Sequence, residues 1–263
     1  MDTTELQAEL QRLKQQLAQV TAARDEAERA KNEYMQNVAH QLAAPINAIK
    51  MNIETLKNPK VHFDRKQVLL RSIYSQGTIL AHLIKNFSLM SHLEAEHHLD
   101  SFREKPEEVD LYLLCVNFSN DFQPIGAQKD QTIEVLNDQF DKYRRPKLWV
   151  IKNLFSQVIY NLLENGTKYG DSDAKIAIGV RCDQSWISTT VTSVGAPIKP
   201  TDAKRIFERG VRGDSAKAMH PAGTGFGLYI ARRIVEIHKG EIAVEPSGRT
   251  STFIVRCPRQ GKL

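Results

Sequence analysis

The chain has 263 residues, 41% of them hydrophobic, and sets 36 lysines and arginines against 31 aspartates and glutamates for a formal charge of +5. That leaves room for one or two domains with real cores, and the interleaving of the two signs argues against a dedicated nucleic-acid surface. The longest uncharged stretch, Tyr34 to Ile49, holds Asn, Gln, His and Pro and could not cross a bilayer, and the N-terminus lacks the basic start and apolar block of a secretory signal, so the expectation is a cytoplasmic chain that enters no membrane.

Cys115, Cys182 and Cys257 are far apart and form no C-x-x-C pair, which suggests neither a disulfide framework nor a zinc site. Leu6, Leu10, Leu13, Leu17 and Val20 then open the chain in alternating steps of four and three. This heptad spacing predicts a helix that buries a thin seam by winding round a second helix. The register continues through Arg24, Ala27, Lys31, Tyr34 and Val38, where two charges weaken it. A spacer of no native role is the alternative reading of this segment.

From Met35 a second stripe (Val38, Leu42, Ile49, Ile53, Leu56) predicts a helix broken at Pro59. A partner stripe (Leu69, Ile73, Gln76, Leu80, Leu83, Phe87, Met90) follows, with Asp64 as its predicted N-cap. Two such helices make a hairpin, and two hairpins paired as a four-helix bundle would bury stripes that one leaves half exposed. His40 lies roughly 200° from both Val38 and Leu42 and so points away from the stripe. An ordinary surface histidine fits that position; Pro45, which removes a helical hydrogen bond one turn later, tilts the reading toward a working site.

After a His- and Glu-rich linker, the segment SQVIYNLLENGTKYG (156–170) sets Val158, Ile159 and Leu162 on an apolar side and Asn161, Asn165 and Lys168 at i, i+4 and i+7 on a polar one. Carboxamide oxygens can ligate Mg²⁺ while most of its water shell stays, and a nearby ammonium suits the phosphates that the metal bridges. A merely solvated face is the competing reading. Further on, Gly223, Gly225 and Gly227 run into a helix whose apolar side is Leu228, Ile230, Ile234, Val235 and Ile237. Glycines permit close backbone approach, and the first amides of a helix are free donors for an anion. No strand directly precedes this turn and no Gly-Lys-Ser/Thr follows it, so neither a Rossmann turn nor a P-loop fits. Short β-branched strands are predicted at 131–136, 174–182, 186–193, 240–246 and 251–257.

Taken in order, an exposed histidine on a helical hairpin, the Asn-rich helix, SVGAPI (193–198), RIFERGVRG (205–213) and GTGFGL (223–228) resemble the sensor histidine kinases of two-component signalling over roughly residues 32–258. The resemblance implies an α+β fold: a coiled coil (1–31), a dimeric helical hairpin for dimerisation and histidine phosphotransfer (32–95), a linker (96–108), and a catalytic domain (109–263) that is an α/β sandwich of the GHKL ATPase type. It implies that His40 is the phospho-acceptor with Gln41 beside it, that Asn161 and Asn165 form the asparagine box with Asn165 as Mg²⁺ ligand, and that Lys168 and Tyr169 adjoin the nucleotide. Ser193, Gly195 and Ile198 fall in the first glycine box, Phe207 in the phenylalanine box, and Gly223, Thr224, Gly225, Gly227 and Leu228 in the second. Residues 209–222 would be a lid over ATP, with Arg212 a phosphate contact. The implied partners are a second copy of the chain and a response-regulator receiver domain, whose aspartate takes the phosphoryl group.

Three residues depart from the family pattern. Gln41 stands where a carboxylate accepts the imidazole proton, and an amide cannot take up a proton near neutral pH. Ala44 stands where Thr or Asn aligns water for dephosphorylating the partner. Ser193 stands where an aspartate accepts from the adenine amino group. An active kinase with a retuned rate and a degenerate kinase acting as a scaffold both fit these substitutions. A clamp-driving GHKL ATPase, with Glu164 beside Asn165, fits the second half but not the hairpin.

Overall fold

The structure is a computed structural model that describes residues 3–95, 102–220, 223 and 225–259. It divides into two compact units, one ending at Leu83 and the other beginning at Ile84.

The first unit holds a long helix, α1 (Thr3–Leu56), and most of α2 (Phe63–Ala95), whose residues from Ile84 onward belong to the second unit. The heptad leucines need a second helix, and in a single chain they find none: Leu13, Leu17 and Val20 are 57%, 68% and 66% exposed. The seam side chains of Leu6, Leu10, Ala27, Lys31 and Tyr34 lie outside the described residues. α1 runs through Pro45 and stops before Asn58-Pro59, because the residue preceding a proline is pushed out of the helical region. The Asn58 Oδ1 accepts from the Lys60 N–H at 3.0 Å to close the turn, and Asn52 Nδ2 donates to Ser72 Oγ at 2.9 Å across the hairpin. α2 begins one residue earlier than Asp64, with the Lys66 N–H on the His62 carbonyl at 3.0 Å. Asp64 is therefore not the N-cap. It lies in the first turn, where its charge complements the helix dipole instead. Leu69 and Met90 are buried, and Ile73, Gln76, Leu80, Leu83 and Phe87 between them are half-buried.

The second unit is built on a five-stranded sheet, in spatial order β2 (Thr132–Val135), β4 (Lys175–Cys182), β5 (Trp186–Val194), β7 (Thr250–Pro258), β6 (Glu241–Ser247), where β2 and β4 are parallel and every other pair antiparallel. These are the five strands legible as β-branched runs. α3 (Leu111–Gly126), α5 (Lys152–Tyr169) and α7 (Gly227–Ile237) supply the helical layer. The core fills with Phe155, Val158, Ile159 and Leu162 of α5, Ile230 and Ile234 of α7, and Ile176, Ile178, Val180 and Val255 of the sheet, all essentially inaccessible.

Two further strands, β1 (Glu107–Asp110) and β3 (Lys147–Val150), form a separate antiparallel pair. Glu107 and Glu108, read as linker from the sequence, pair with Val150 and Trp149. Asp110 then caps α3, its Oδ1 accepting from the Leu113 N–H at 3.0 Å. Two short helices, α4 (Asn137–Lys142) and α6 (Asp214–Met219), complete the unit. Among the described residues no helix is long and apolar enough to cross a membrane.

Candidate active site

α5 turns its apolar side into the core, and Asn161, Asn165 and Lys168 follow on the other flank. Asn161 is not solvated as the amphipathic pattern suggests. It is fully buried, its Nδ2 donating to the Gly227 carbonyl at 3.0 Å and its Oδ1 accepting from Gln157 Nε2 at 3.1 Å. The start of α7 covers the helix at this point, and both ends of the carboxamide are paired because an unpaired one would cost about 1–3 kcal/mol. Asn161 therefore buttresses the glycine turn. One turn later Asn165 is half-exposed, and its amide makes no hydrogen bond to any of the described residues.

The C-terminus of α5 is held from outside. Lys129 Nζ donates to the carbonyls of Thr167 (3.0 Å) and Lys168 (2.9 Å), supplying donors that a helix end lacks. The Tyr169 carbonyl accepts from the Ala196 N–H at 2.9 Å, the Asp171 N–H donates to Val194 O at 2.9 Å, and the Gly195 N–H donates to Arg249 O at 2.8 Å. A β-carbon on Gly195 would strike the Tyr169 carbonyl oxygen, so only glycine admits this approach. Just before it, Ser193 pairs across the strands with Ser251 of β7, and both are buried. Ile198 is half-buried in the loop beyond, and Phe207 is buried edge-on against Phe253 at 6.3 Å.

Between Phe207 and α7 the chain loops through α6. Gly210 and Gly225 both sit at φ +72°, and a β-carbon on Gly225 would come within 2.8 Å of Gly210. The two glycines thus form a close crossing at the root of the loop. Arg212 Nη2 donates to the Ala216 carbonyl at 2.7 Å and to the His220 carbonyl, and the guanidinium lies against Gly223. It is bonded to the loop's own backbone in this conformation, so a phosphate contact requires these bonds to be exchanged. The His220 imidazole Nε2 bonds the Lys168 carbonyl at 2.8 Å, and its ring meets Tyr169 edge-on at 5.5 Å. α7 opens at Gly227, with Leu228 half-buried in its first turn; Thr224 lies outside the described residues.

On α1, His40 and Ala44 are exposed, Gln41 is half-buried and Pro45 is buried. Proline has no N–H, so the Gln41 carbonyl, four residues earlier and adjacent to His40, loses its helical donor.

A family model described as "His Kinase A (phospho-acceptor) domain" matches residues 30–96, and one described as "Histidine kinase-, DNA gyrase B-, and HSP90-like ATPase" matches residues 151–261. The chain belongs to the sensor histidine kinases. Sensor histidine kinase RppB of Synechocystis sp. is 25% identical over 235 residues, covering 86% of this chain and 48% of RppB. Sensor protein SrrB of Staphylococcus aureus is 25% identical over 240 residues, covering 87% of this chain and 38% of SrrB. The chain thus spans half or less of the curated relatives it matches. Among solved structures, the Acinetobacter baumannii histidine kinase AdeS superposes with a TM-score of 0.64 at 18% identity, covering 84% of this chain and 98% of that one. Histidine kinase ThkA, solved in complex with response regulator protein TrrA, superposes at 0.63 and 21% identity over 87% of this chain and 61% of that one. At such identities these likenesses bear on the fold.

Several residues of this kinase carry the site without a local sequence signal. Gln157 is recoverable only as the i−4 neighbour of Asn161. Ser251 meets Ser193 through the β5–β7 register, which joins positions far apart in sequence. His238 closes α7 from beneath: its Nδ1 bonds the Ile234 carbonyl at 2.7 Å, and its Nε2 accepts from the N–H of Ile151, the N-cap of α5, at 3.0 Å. One imidazole therefore ties together the two helices that carry the site. Cys115 and Cys257 are buried and inert, burial pushing both thiols up to about 12.

Proposed function

We propose that this kinase transfers the γ-phosphoryl group of ATP to His40 and passes it on to an aspartate of a response-regulator receiver domain. A ring nitrogen of His40 forms the new P–N bond, the bond between the γ-phosphorus and the bridging oxygen breaks, and ADP leaves with that electron pair; the displaced imidazole proton goes to solvent. The observation that carries this reading is the pairing of functions in one chain: an exposed His40 within a phospho-acceptor family match, and an ATPase fold in which Asn165 stays uncommitted beside a glycine turn fixed by Asn161.

The donor set suits Mg²⁺ held by triphosphate and water. Asn165 offers a neutral amide oxygen at the right depth, and among the described residues no cluster of three His, Cys, Asp or Glu competes for the ion. When bound, the ion neutralises charge on the phosphates. Lys168, the first-turn amides of α7 and, once released from the loop carbonyls, Arg212 would position them. Ser193 and Gly195 line the place for the purine base, closed by Ile198 and Tyr169. Two chains pair through α1 and α2, which would cover the exposed Leu13, Leu17 and Val20; the complex of ThkA with TrrA supports the receiver domain as the further partner.

The test is incubation with radiolabelled ATP and Mg²⁺, wild type beside His40→Ala. Acid-labile label in the wild type alone is expected. Continuous phosphate release that survives His40→Ala would replace the kinase reading with an ATPase.

A further inference from the structure

Successive rungs of the β5–β7 ladder treat their hydroxyls differently. Thr192 and Thr252 bond one another at 3.0 Å, so that pair is satisfied within the protein. Ser193 and Ser251, the next rung, turn to the other face of the sheet, the side that buries Val191 and Phe253. They are only 8% and 6% exposed, yet Ser251 Oγ is buried with no hydrogen-bond partner among the described residues. A buried hydroxyl without a partner is costly unless something else completes it. No charge completes the pair: the carboxylate at this corner, Asp171, is engaged by Arg249 at 2.5 and 2.7 Å.

We infer that this hydroxyl pair makes the base pocket indifferent to the substituent at the purine 6-position, so that 6-oxopurine triphosphates bind about as well as ATP. The inference rests on the reading above that Ser193 takes the base. A carboxylate can only accept; it welcomes the 6-amino group of adenine and repels the 6-oxo group of hypoxanthine or guanine. A hydroxyl rotates, accepting from an amino group or donating to an oxo group, and here two of them stand opposite one another on one rung of the ladder. The selectivity that a charged acceptor supplies is therefore absent, while the pocket still orders a purine through Gly195 and Ile198.

Calorimetric titration of the whole chain with the Mg²⁺ salts of ATP, ITP and UTP tests this without reference to turnover. ITP is the cleaner probe because GTP adds a 2-amino group with its own space requirement. The wild type should bind ITP within about tenfold of ATP, the worth of one neutral hydrogen bond, and UTP much more weakly. Ser193→Asp should shift the ATP/ITP affinity ratio toward ATP by about tenfold or more. Ser251→Ala, which removes no side-chain bond to any of the described residues, should weaken ATP and ITP together by roughly three- to tenfold. A wild type that favours ATP over ITP by about a hundredfold overturns the inference, as does an ATP/ITP ratio that Ser193→Asp leaves unchanged. UTP binding equal to ATP would move the base away from Ser193. Failure to bind any nucleotide would instead remove the underlying ATP-site reading.

Discussion

Asn161 Nδ2 holds the carbonyl of Gly227 at 3.0 Å while Gln157 Nε2 occupies the Asn161 oxygen at 3.1 Å, so two turns of α5 and the first residue of α7 form one buried network. Asn161→Asp keeps the shape but replaces a donor with a charged acceptor facing a carbonyl. The expected cost is about 2–4 kcal/mol, more than Asn161→Ala, which leaves two groups unpaired at about 1–3 kcal/mol. Nucleotide affinity should fall with stability, since the glycine turn loses its anchor. Thermal unfolding of the two variants checks the order; an Asp variant as stable as wild type would show that the network is not closed.

Gly195 tests the other wall. Its Cβ position is taken by the Tyr169 carbonyl, and the strand end is fixed there by the bonds from Ala196 to Tyr169 and from Gly195 to Arg249. Gly195→Ala must push α5 and β5 apart, at about 1–3 kcal/mol. Because Ser193 lies two residues upstream, purine binding should weaken by more than the stability loss alone explains. Denaturant titration beside nucleotide titration separates the two effects; parallel, small changes would mean the loop absorbs the methyl group.

His238 makes stability depend on pH. Its Nδ1–H donates to Ile234 and its bare Nε2 accepts from Ile151, which together require the neutral ring, and burial, opposed by the Ile234 bond, holds its pKa below 6.5. A group whose folded pKa is depressed contributes stability that is fully present above the unfolded value and lost as pH falls. The chain should therefore lose stability between about pH 6.5 and pH 5, before most carboxylates titrate. His238→Asn should be less stable at pH 7.5 and lose less over this interval. Melting curves at the two pH values decide it; equal losses would place the acid sensitivity elsewhere.

Reading the sequence located the five strands of the main sheet because each is a β-branched run bounded by turn residues. It missed β1 because Glu-Glu-Val-Asp carries a single apolar residue, and β3 because four residues of alternation are too few to separate from the following helix. Asp64 lies two residues past the cap position, His62, since nothing local decides which polar residue at a helix start takes that role. Periodicity placed Asn161 on a polar flank, but whether that flank meets water or α7 depends on a contact 66 residues away. Ser251 and His238 were illegible for the same reason: their partners are set by sheet register and helix packing, which no window of sequence contains.

Gln41 offers the most direct test of the chemistry. It is half-buried on α1 beside the exposed His40, at the position where the family pattern has a carboxylate, and the Gln41 backbone carbonyl already lacks its helical donor because of Pro45. Glutamate and glutamine have similar helix propensities, so Gln41→Glu should leave stability within about 0.5 kcal/mol. It would introduce a group able to take the imidazole proton as the P–N bond forms, a contribution of typically about 10²–10⁴ where a base is well placed. Some of this will be lost because the surrounding helix did not form around a carboxylate, so an increase of at least about tenfold in initial phosphohistidine formation is the expected result. Gln41→Ala should match wild type, since the native amide supplies no proton acceptor. If the Glu variant labels no faster at saturating Mg²⁺ and ATP, proton removal does not limit the reaction and the departure at this position is neutral for rate; a fall in the Ala variant would mean that the Gln41 side chain positions His40.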